Sequence, residues 1–369
     1  MARVTRSFSK GQIDRAGTAL ISLPSEDPQR AKAIEIVDNW RSCHIAPLQI
    51  VKMTLIKRAK KVSPAALVAQ RLKRRPSIHI KLRDNPNMKL SQMQDLGGCR
   101  AVMTNIRQVV RLAGRYRDSS RKMGSLGPVV DSCDDYIDKP KPDGYRGIHF
   151  IIRYYSSIDE LKVFNGQRIE IQIRTKLQHA WATAVETAQL FSGHALKSKY
   201  KTTNSDWIRF FALASGAFAL KEKCPSVPGV PEDRESLIRE LRLVSNRLNA
   251  LTVLEGWTKS IQVTHTQHAN SNANWFIMRL DTLERTLRVI PYRNNEIARF
   301  RSEYELFEKE ADTNPGVDVV LVLVDELKEL RKAYPNYHVD TANFVAAIRK
   351  ELDLRPRRSG ISLPSTLRA

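Results

Sequence analysis

The stretch from Arg168 to Thr175 constrains the fold most, because apolar and polar side chains alternate in it without exception. Every second residue is isoleucine, and the polar residues that separate and follow the isoleucines are Glu170, Gln172 and Arg174. Successive side chains of an extended chain point to opposite sides, so the pattern predicts a β-strand with one face in the core. Alternation alone favours a half-solvated edge strand, and the floor of an active site is the sharper alternative.

A charged loop, residues 135–149, comes before an apolar run that predicts a second strand, from Phe150 to Tyr155. Helix and regular strand are excluded within the loop by Pro140, Pro142 and Gly144. The loop also carries cations beside an aromatic ring: Lys139, Lys141, Arg146 and Tyr145. Cations suit phosphates and a flat ring suits a base, so the loop predicts a nucleotide site. A basic hairpin on a basic protein explains the loop alone equally well.

The composition narrows the class of protein. A chain of 369 residues, 42% of them hydrophobic, is expected to fold into two or three domains. Its net charge of +22 favours an anionic partner such as a nucleotide, a nucleic acid or an acidic protein. The four cysteines are scattered, which argues against a zinc finger or a disulfide scaffold. We expect no secretory signal and no membrane span, and therefore a cytoplasmic protein.

Hydrophobic periodicity predicts the remaining elements. We expect a polar N-terminal arm over residues 1–28, and two helices within 29–62, the second with a basic face. Helices are also predicted at 106–123, 177–190, 206–222, 297–311 and 344–352, a helical hairpin at 237–251, and strands at 101–103, 275–280 and 286–292. Residues 317–330 fit a helix or a strand equally well, and the proline-rich residues 225–231 predict a linker.

Two further clusters supply charge for chemistry. Lys73, Ser77 and Lys81 are spaced by four residues, so on a helix they would share one face and hold a polyphosphate together. Asp95 precedes a tight glycine turn and a strand, and with Glu170 it provides two carboxylates on or beside neighbouring strands. Mg²⁺ binds one or two carboxylates and takes its other ligands from phosphate and water. Together these residues predict transfer of a phosphate-type group from a nucleoside triphosphate.

Four spaced motifs resemble the RelA/SpoT alarmone synthetase domain over roughly residues 45–190. They are Arg-x-Lys-x-x-x-Ser-Ile-x-x-Lys from Arg71, Asp-Leu-x-Gly-x-Arg from Asp95, Asp-Tyr-Ile-x-x-Pro-Lys-x-x-Gly-Tyr-Arg-x-x-His from Asp135, and Glu-Ile-Gln-Ile-Arg-Thr from Glu170. The resemblance implies a nucleotidyltransferase-like mixed sheet flanked by helices. It also implies transfer of pyrophosphate from ATP to the 3′-hydroxyl of a guanine nucleotide or, in the toxin branch, of the tRNA CCA end.

The resemblance assigns a role to each matched residue. ATP would be held by Arg71, Lys73, Ser77, Lys81 and Arg100. Asp95 would bind Mg²⁺, and Glu170 would bind Mg²⁺ or help to deprotonate the attacking hydroxyl. Tyr145 would stack on the acceptor base. Beside it, the acceptor would contact Lys141, His149 and Gln172.

The sequence departs from the usual synthetase pattern at Asp143, where many members have asparagine. A carboxylate there would repel phosphate, so we expect the tRNA 3′ end rather than GDP or GTP as the acceptor. An alarmone synthetase that makes ppGpp or a related nucleotide is the alternative. A non-catalytic RNA-binding protein is a second alternative, against which the intact pair of Asp95 and Glu170 argues.

The second half of the chain is similar in layout to fused toxin–antitoxin proteins of the CapRel type. Tyr334-Pro335-Asn336-Tyr337 fits the Tyr-x-x-Tyr motif that closes over the ATP site in that group. The resemblance implies three parts: a pyrophosphokinase domain with N-terminal helices (1–224), a helical hairpin with a small β pseudo-zinc-binding region (225–315), and an autoinhibitory segment (316–369). It implies a monomer that a phage protein releases from self-inhibition. The overall expectation is an α+β fold whose sheet precedes a mostly helical region with a small β insertion and a C-terminal helical segment.

Overall fold

The computed structural model describes residues 4–24, 26–120, 128–195, 201–260, 262–265, 275–281, 283–293, 296–314, 316–323 and 341–353. They form an α+β fold in which helices flank a mixed sheet, as predicted. The two tyrosines of the Tyr-x-x-Tyr motif, Tyr334 and Tyr337, lie outside the described residues. None of the described helices is long and apolar enough to cross a membrane.

The helices are α1 (Lys10–Ser22), α2 (Pro28–Ser42), α3 (Ile45–Val62), α4 (Arg75–Asp84), α5 (Ile106–Ser120), α6 (Asp159–Lys162), α7 (Lys176–Ala195), α8 (Lys201–Glu222), α9 (Arg234–Leu248), α10 (Ala250–Ser260), α11 (Ile297–Thr313) and α12 (Ala342–Glu351). The strands are β1 (Leu67–Leu72), β2 (Gly97–Met103), β3 (Val129–Asp135), β4 (Ile148–Arg153), β5 (Arg168–Thr175), β6 (Gln262–His265), β7 (Trp275–Asp281), β8 (Thr286–Tyr292) and β9 (Val317–Leu323).

The sheet follows the order β3-β4-β5-β2-β1-β9-β7-β8-β6 within the described residues. Strands β2 and β5 run parallel, and they place Gly98 opposite Glu170. Strand β4 pairs antiparallel with β5 and places His149 opposite Gln172. The interpretation of residues 168–175 as an edge strand is therefore wrong, because β5 has hydrogen-bonded neighbours on both sides.

The two faces of this sheet differ in chemistry. The isoleucines of β5 are buried against α3 and α5 together with Cys99, Ala101 and Phe150. The opposite face carries Glu170, Gln172 and His149, and α7 lies next to it and contacts β2 and β5. The alternation in the sequence thus separates a core face from a face that lines a cleft.

The N-terminal residues differ from their prediction as a polar arm. Helix α1 begins after a capping box formed by Ser9 and Gln12, whose side chains satisfy exposed backbone N–H groups. Its buried residues Ile13 and Leu20 pack in one apolar cluster with α2 and α4. The helix was missed because its apolar residues are few and are separated by charged ones.

The small β region predicted near residues 275–292 is joined to the main sheet. Residues 317–323 form a strand, and β9 pairs antiparallel with β7 along seven residues. On its other side β9 contacts β1 through the pair Arg71 and Val322. The predicted domain boundary at 315/316 falls between α11 and β9, two elements that pack against each other.

A second core lies among the helices that follow the sheet. Phe344 of α12 packs against Phe210, Phe211 and Phe218 of α8. Two successive helices lie where a helical hairpin is predicted: Asn249, in the left-handed conformation, caps the C-terminus of α9, and α10 begins immediately after it. Helix α8 therefore contacts α9, α12 and the loop of residues 135–149.

Candidate active site

A cleft of about 350 Å³ opens on the polar face of the sheet beside α7. Nine of the predicted site residues line it: Arg71, Lys73, Asp95, Arg100, Lys141, Tyr145, His149, Glu170 and Gln172. Lys81 reaches the cleft through Asp95, whereas Ser77 on α4 is not among the lining residues. We call Arg71, Lys73, Lys81, Asp95 and Arg100 the cationic half, and Lys141, Tyr145, His149, Glu170 and Gln172 the aromatic half.

The cationic half is organised around the carboxylate of Asp95. Lys73 Nζ donates to Asp95 Oδ2 at 2.8 Å, and Lys81 Nζ donates to Asp95 Oδ1 at 3.0 Å. Burial alone would raise the pKa of Asp95, but the two ammonium groups outweigh it and lower this pKa. Burial also lowers the pKa of Lys73, and Asp95 offsets part of that effect. Asp95 is therefore ionised at neutral pH and has a cation on each oxygen.

The position of Lys73 differs from the expectation that it shares a helical face with Ser77 and Lys81. Lys73 lies in the turn after β1, because Pro76 in the first turn of α4 lets the helix begin at Arg75. Its backbone N–H donates to the carbonyl of Leu96 at 2.8 Å. The turn that carries Lys73 is thus tied directly to the segment that carries Asp95.

The aromatic half contains a chain of hydrogen bonds. His149 Nδ1 lies 2.8 Å from Glu170 Oε1, and Gln172 Nε2 donates to Glu170 Oε2 at 2.8 Å. A carboxylate only accepts, so His149 Nδ1 carries a proton, and its Nε2 can accept from the Tyr145 hydroxyl, 2.5 Å away. Burial would raise the pKa of Glu170, but the His149 contact and Gln172 lower it. Glu170 is therefore an ionised carboxylate with both oxygens hydrogen-bonded.

The ring of Tyr145 is held among other rings. Tyr136 and Trp181 meet it edge to face, with centroids 5.9 and 6.3 Å away. Lys141 Nζ lies 4.4 Å from the centre of the Tyr136 ring and 5.6 Å from that of Tyr145. Burial raises the pKa of Tyr145 to about 12. This hydroxyl therefore stays protonated and acts as a hydrogen-bond donor.

Helix α8 fixes the loop that carries Tyr145. Ser215 Oγ donates to the carbonyl of Gly144 at 2.6 Å and accepts from Arg146 Nε at 3.1 Å. Arg146 Nη1 also pairs with the buried Glu222 at 2.8 Å. Gly144 has φ +94°, and a Cβ there would come within 3.1 Å of α8 and of Trp181. The loop is therefore shaped by a positive φ and anchored by a buried ion pair.

Ten of the residues that line the cleft were not among the predicted site residues, and four of them carry a charge or a large ring: Asp143, Arg174, Trp181 and Glu186. Arg174 is 3% exposed, and burial lowers the pKa of its guanidinium. It shares the polar face of β5 with Glu170, so the alternation could have identified it. Asp143 is exposed and accepts the backbone N–H of Tyr145 at 2.9 Å. Trp181 and Glu186 lie on α7, where helical periodicity did not separate cleft residues from core residues.

Two carboxylates of this cleft suit a magnesium ion. No group of three or more His, Cys, Asp or Glu side chains in the described part of the chain is placed to hold a metal. Asp95 and Glu170 both line the cleft, and the charge of Asp95 acts to raise the pKa of Glu170, so the two carboxylates interact. One or two carboxylates with phosphate oxygens and water form the ligand set that Mg²⁺ takes in phosphoryl-transfer enzymes. The donor set therefore fits Mg²⁺ bound together with a polyphosphate.

Comparison with known proteins places this cleft in a family context. Residues 70–204 match the family model described as "Region found in RelA / SpoT proteins". We call residues 70–204 the RelA/SpoT region; it covers just over a third of the chain and includes all ten residues of the two halves of the cleft.

Among curated proteins, the chain is 34% identical over 101 residues to the GTP pyrophosphokinase of Escherichia coli K12, over 26% of this chain and 11% of that protein. It is 32% identical over 121 residues to an uncharacterized protein of Mycobacterium tuberculosis, over 32% of this chain and 38% of that protein. The chain thus spans about a tenth of the first relative and less than two-fifths of the second.

Among solved structures, small alarmone synthetase 2 from Bacillus subtilis aligns with 50% of this chain and 94% of its own, at 19% identity and a TM-score of 0.39. A GTP pyrophosphokinase family protein from Streptococcus pneumoniae aligns with 50% of this chain and 90% of its own, at 19% identity and a TM-score of 0.41.

Proposed function

We propose that the chain is a pyrophosphokinase that uses ATP as the donor. The observation that carries the proposal is the pairing, in one cleft, of Asp95 bracketed by two lysines with Glu170 hydrogen-bonded by His149 and Gln172. Phosphoryl chemistry depends on positioning and on neutralising charge, and these are what the two halves of the cleft supply. The match of residues 70–204 to the RelA/SpoT family supports the same activity.

In the reaction, an acceptor hydroxyl oxygen attacks the β-phosphorus of ATP. A bond forms between this oxygen and the β-phosphorus, and the bond between the β-phosphorus and the oxygen that bridges to the α-phosphate breaks. AMP leaves with that bridging oxygen, and the β- and γ-phosphates pass to the acceptor. The acceptor proton goes to Glu170, whose carboxylate is ionised at neutral pH.

The cationic half binds the triphosphate in this proposal. Lys73 and Lys81 exchange Asp95 for phosphate oxygens, and Arg71 and Arg100 add further positive charge at the same cleft. Asp95, released from the lysines, would hold Mg²⁺, with Glu170 as a second ligand where it does not serve as the proton acceptor; the ion would neutralise the developing charge on the phosphates. Ser77 does not line the cleft, and its predicted contact with ATP stays a prediction.

The aromatic half receives the acceptor. We propose the 3′ end of tRNA, with its terminal base against Tyr145. Asp143 supports this choice, because its exposed carboxylate lies at the cleft beside Lys141 and opposes an acceptor that carries a terminal di- or triphosphate. A guanine nucleotide is the second candidate, supported by the name of the E. coli relative, a GTP pyrophosphokinase.

Regulation of this activity forms the last part of the proposal. The C-terminal segment with Tyr334 and Tyr337 inhibits the enzyme, and a phage protein that binds the C-terminal half releases the inhibition. Blocking the tRNA 3′ end then stops translation in the infected cell. The support for this part is the sequence motif and the layout of the second half. Replacing Tyr337 by alanine would make the chain toxic without a trigger.

The acceptor is identified by incubating the full chain with ATP labelled at the γ-phosphate and with deacylated tRNA, GDP or GTP. Label in tRNA together with formation of AMP is the expected result. Label in the nucleotide alone would replace tRNA by the alarmone alternative. Absence of AMP with every acceptor, in the wild type and in Tyr337→Ala alike, would leave the non-catalytic RNA-binding alternative.

A further inference from the structure

A buried ion cluster connects α11 to the turn that carries Lys73. Glu308 of α11 accepts two hydrogen bonds from Arg41, each of 2.8 Å, and one from Arg75 at 3.1 Å. Arg41, Arg75 and Glu308 have side chains only 3–4% exposed. Two carboxylates and one hydroxyl face the two guanidinium groups: Glu308, Asp38 and Tyr304.

The cluster acts on the cleft through Arg41. While its two Nη atoms bond Glu308, the Nε atom donates to the backbone carbonyl of Lys73 at 2.7 Å. The N–H of Lys73 is held from the other side by the carbonyl of Leu96, next to Asp95. The backbone of Lys73 is therefore fixed between Arg41 and the segment of Asp95, and Glu308 fixes Arg41.

Strand β9 adds two contacts to the same segment. Arg74 forms an ion pair with Asp318, and Arg71 is the residue of β1 that pairs with Val322. Residues 71–75 are thus contacted by α11 and by β9, both of which lie outside the RelA/SpoT region. Removing one partner of a buried ion pair leaves the other charge uncompensated, so the cluster holds its geometry strongly.

We propose that Glu308, acting through Arg41, is a positioning residue for the cationic half of the cleft. It sets the place of the Lys73 backbone and thereby of the ammonium group that has to reach the triphosphate. This inference rests on the proposed ATP-dependent function. It predicts that a helix far from the RelA/SpoT region in sequence controls ATP binding and leaves the acceptor site alone.

The test uses variants that alter the two contacts of Arg41, one with Glu308 and one with the carbonyl of Lys73. Arg41→Lys keeps a positive charge facing Glu308 but lacks the planar fork that lets one side chain bond Glu308 and the Lys73 carbonyl together. Glu308→Gln removes the charge that fixes Arg41 and keeps the shape of the side chain. Glu305→Gln, at an exposed position of the same helix, is the matched control. Each full-length variant is titrated with Mg²⁺ and a non-hydrolysable ATP analogue, and its Tm and the KM for the acceptor are measured.

We expect the Kd for the ATP analogue to rise about tenfold in Arg41→Lys and in Glu308→Gln, because the Lys73 contact is lost or misdirected. The acceptor KM and the control are expected to stay at the wild-type values. If these residues had a merely structural role, the substitutions would weaken the binding of both substrates or would change only the Tm.

Unchanged ATP affinity in folded Arg41→Lys and Glu308→Gln, with a wild type that binds the analogue, would overturn this inference alone. An equal loss for ATP and acceptor would also overturn it. If Glu308→Gln does not fold, the affinities of Arg41→Lys and Tyr304→Phe for the ATP analogue are measured instead, because both variants keep the Glu308 carboxylate. A wild type that binds no ATP analogue would remove the proposed function and this inference with it.

Discussion

The two halves of the cleft are built from different chemistry. In the cationic half, charged groups satisfy one another, because Lys73 and Lys81 both bond Asp95. In the aromatic half, Glu170 accepts hydrogen bonds from an imidazole and an amide, those of His149 and Gln172. A polyphosphate that binds the cationic half has to replace the ion pairs there with its own. In the aromatic half, a base can stack on Tyr145 while the hydrogen bonds of Glu170 stay in place. The comparison predicts a rearranging site for the donor and a preformed site for the acceptor.

Both halves are also held from outside the part of the chain that matches the family. The turn of Lys73 is fixed by α11 through Arg41 and Glu308, and the loop of Tyr145 is fixed by α8 through Arg146 and Glu222. The two anchors belong to different helices, α11 and α8. Changes in one half are therefore expected to leave the affinity of the other half unaltered.

The largest effect is expected from Glu170, which serves both halves. Glu170→Gln keeps the shape of the side chain but removes the proton acceptor and one carboxylate, so kcat is expected to fall about a hundred- to ten-thousand-fold. AMP formation from ATP in the presence of the acceptor measures it. Glu160→Gln, at an exposed position on α6, is the control and should keep full activity. Retention of more than a tenth of the activity by Glu170→Gln would remove Glu170 from catalysis.

The cationic half is tested by Lys73→Met, which removes the ammonium and keeps the length of the side chain. Loss of a charge-assisted hydrogen bond of about 1.5–3 kcal/mol should raise the Kd for ATP about 10- to 150-fold. The KM for the acceptor should not change. Lys89→Met, at an exposed position, provides the control for a lost positive charge. A rise in the acceptor KM equal to the rise in the ATP Kd would show that the two halves are not independent.

The aromatic half is tested by comparing two substitutions of Tyr145. Tyr145→Ala removes the ring, and a lost base stack of about 1–3 kcal/mol should raise the acceptor KM about 5- to 150-fold. Tyr145→Phe removes only the hydroxyl that contacts His149, and its effect should be about tenfold or less. Acceptor titrations at saturating ATP distinguish the two. Equal losses in both variants would assign the role of Tyr145 to its hydroxyl instead of its ring.

The shape of the loop of residues 135–149 is tested by substituting two glycines that both have a positive φ, Gly144 inside the loop and Gly166 outside it. Gly144→Ala places a Cβ about 3.0–3.1 Å from Ser215, Ala212 and Trp181, so overpacking adds to the strain and should cost about 1–3 kcal/mol. Gly166→Ala has a φ of +84° with nothing within 4 Å, so it should cost only the strain of about 1 kcal/mol. Urea unfolding of both variants gives the difference. Equal costs would mean that α8 does not restrict the loop.

The last prediction concerns pH and His44, which precedes α3 and lies beside Gly97 of β2. Burial lowers the pKa of His44 to about 4, against an ordinary value of about 6.5. The unfolded chain then binds more protons than the folded one, so His44 makes the free energy of unfolding fall as pH drops from about 6.5 to about 4. His44→Asn should reduce this slope while leaving the slope near pH 8 unchanged. An identical pH slope in wild type and variant would contradict the buried neutral state.

Most helices and five of the nine described strands (β2, β4, β5, β7 and β8) followed from the sequence because their signals are local, whereas β1, β3 and β6 were not predicted and β9 was left undecided between helix and strand. Strand β5 has the predicted bounds, since Ile169, Ile171 and Ile173 alternate with polar residues and need no distant partner to be recognised. The position of β5 inside the sheet did not follow, because its neighbours β2 and β4 are joined to it by other parts of the chain. The edge position that alternation favours was excluded only by the register.

The candidate site followed from the sequence to the extent that motifs mark it. Asp95, Tyr145 and Glu170 were identified and lie at one cleft. The residues that hold these side chains in place were not predicted, because their contacts join positions that are far apart in the sequence. Arg41 and Glu308 are 267 positions apart, and Arg146 and Glu222 are 76 apart. A buried arginine and a buried glutamate in separate helices look like surface charges until the helices meet.

The central claim is that Asp95 and Glu170 serve one pyrophosphate transfer. It is tested most directly by counting products in one reaction of the full chain, or of Tyr337→Ala if the wild type is silent, with labelled ATP and the acceptor. The account predicts one AMP for each modified acceptor, and neither product when Asp95→Asn or Glu170→Gln is introduced into the same chain. Release of ADP in place of AMP, or unchanged AMP formation in either variant, would contradict it.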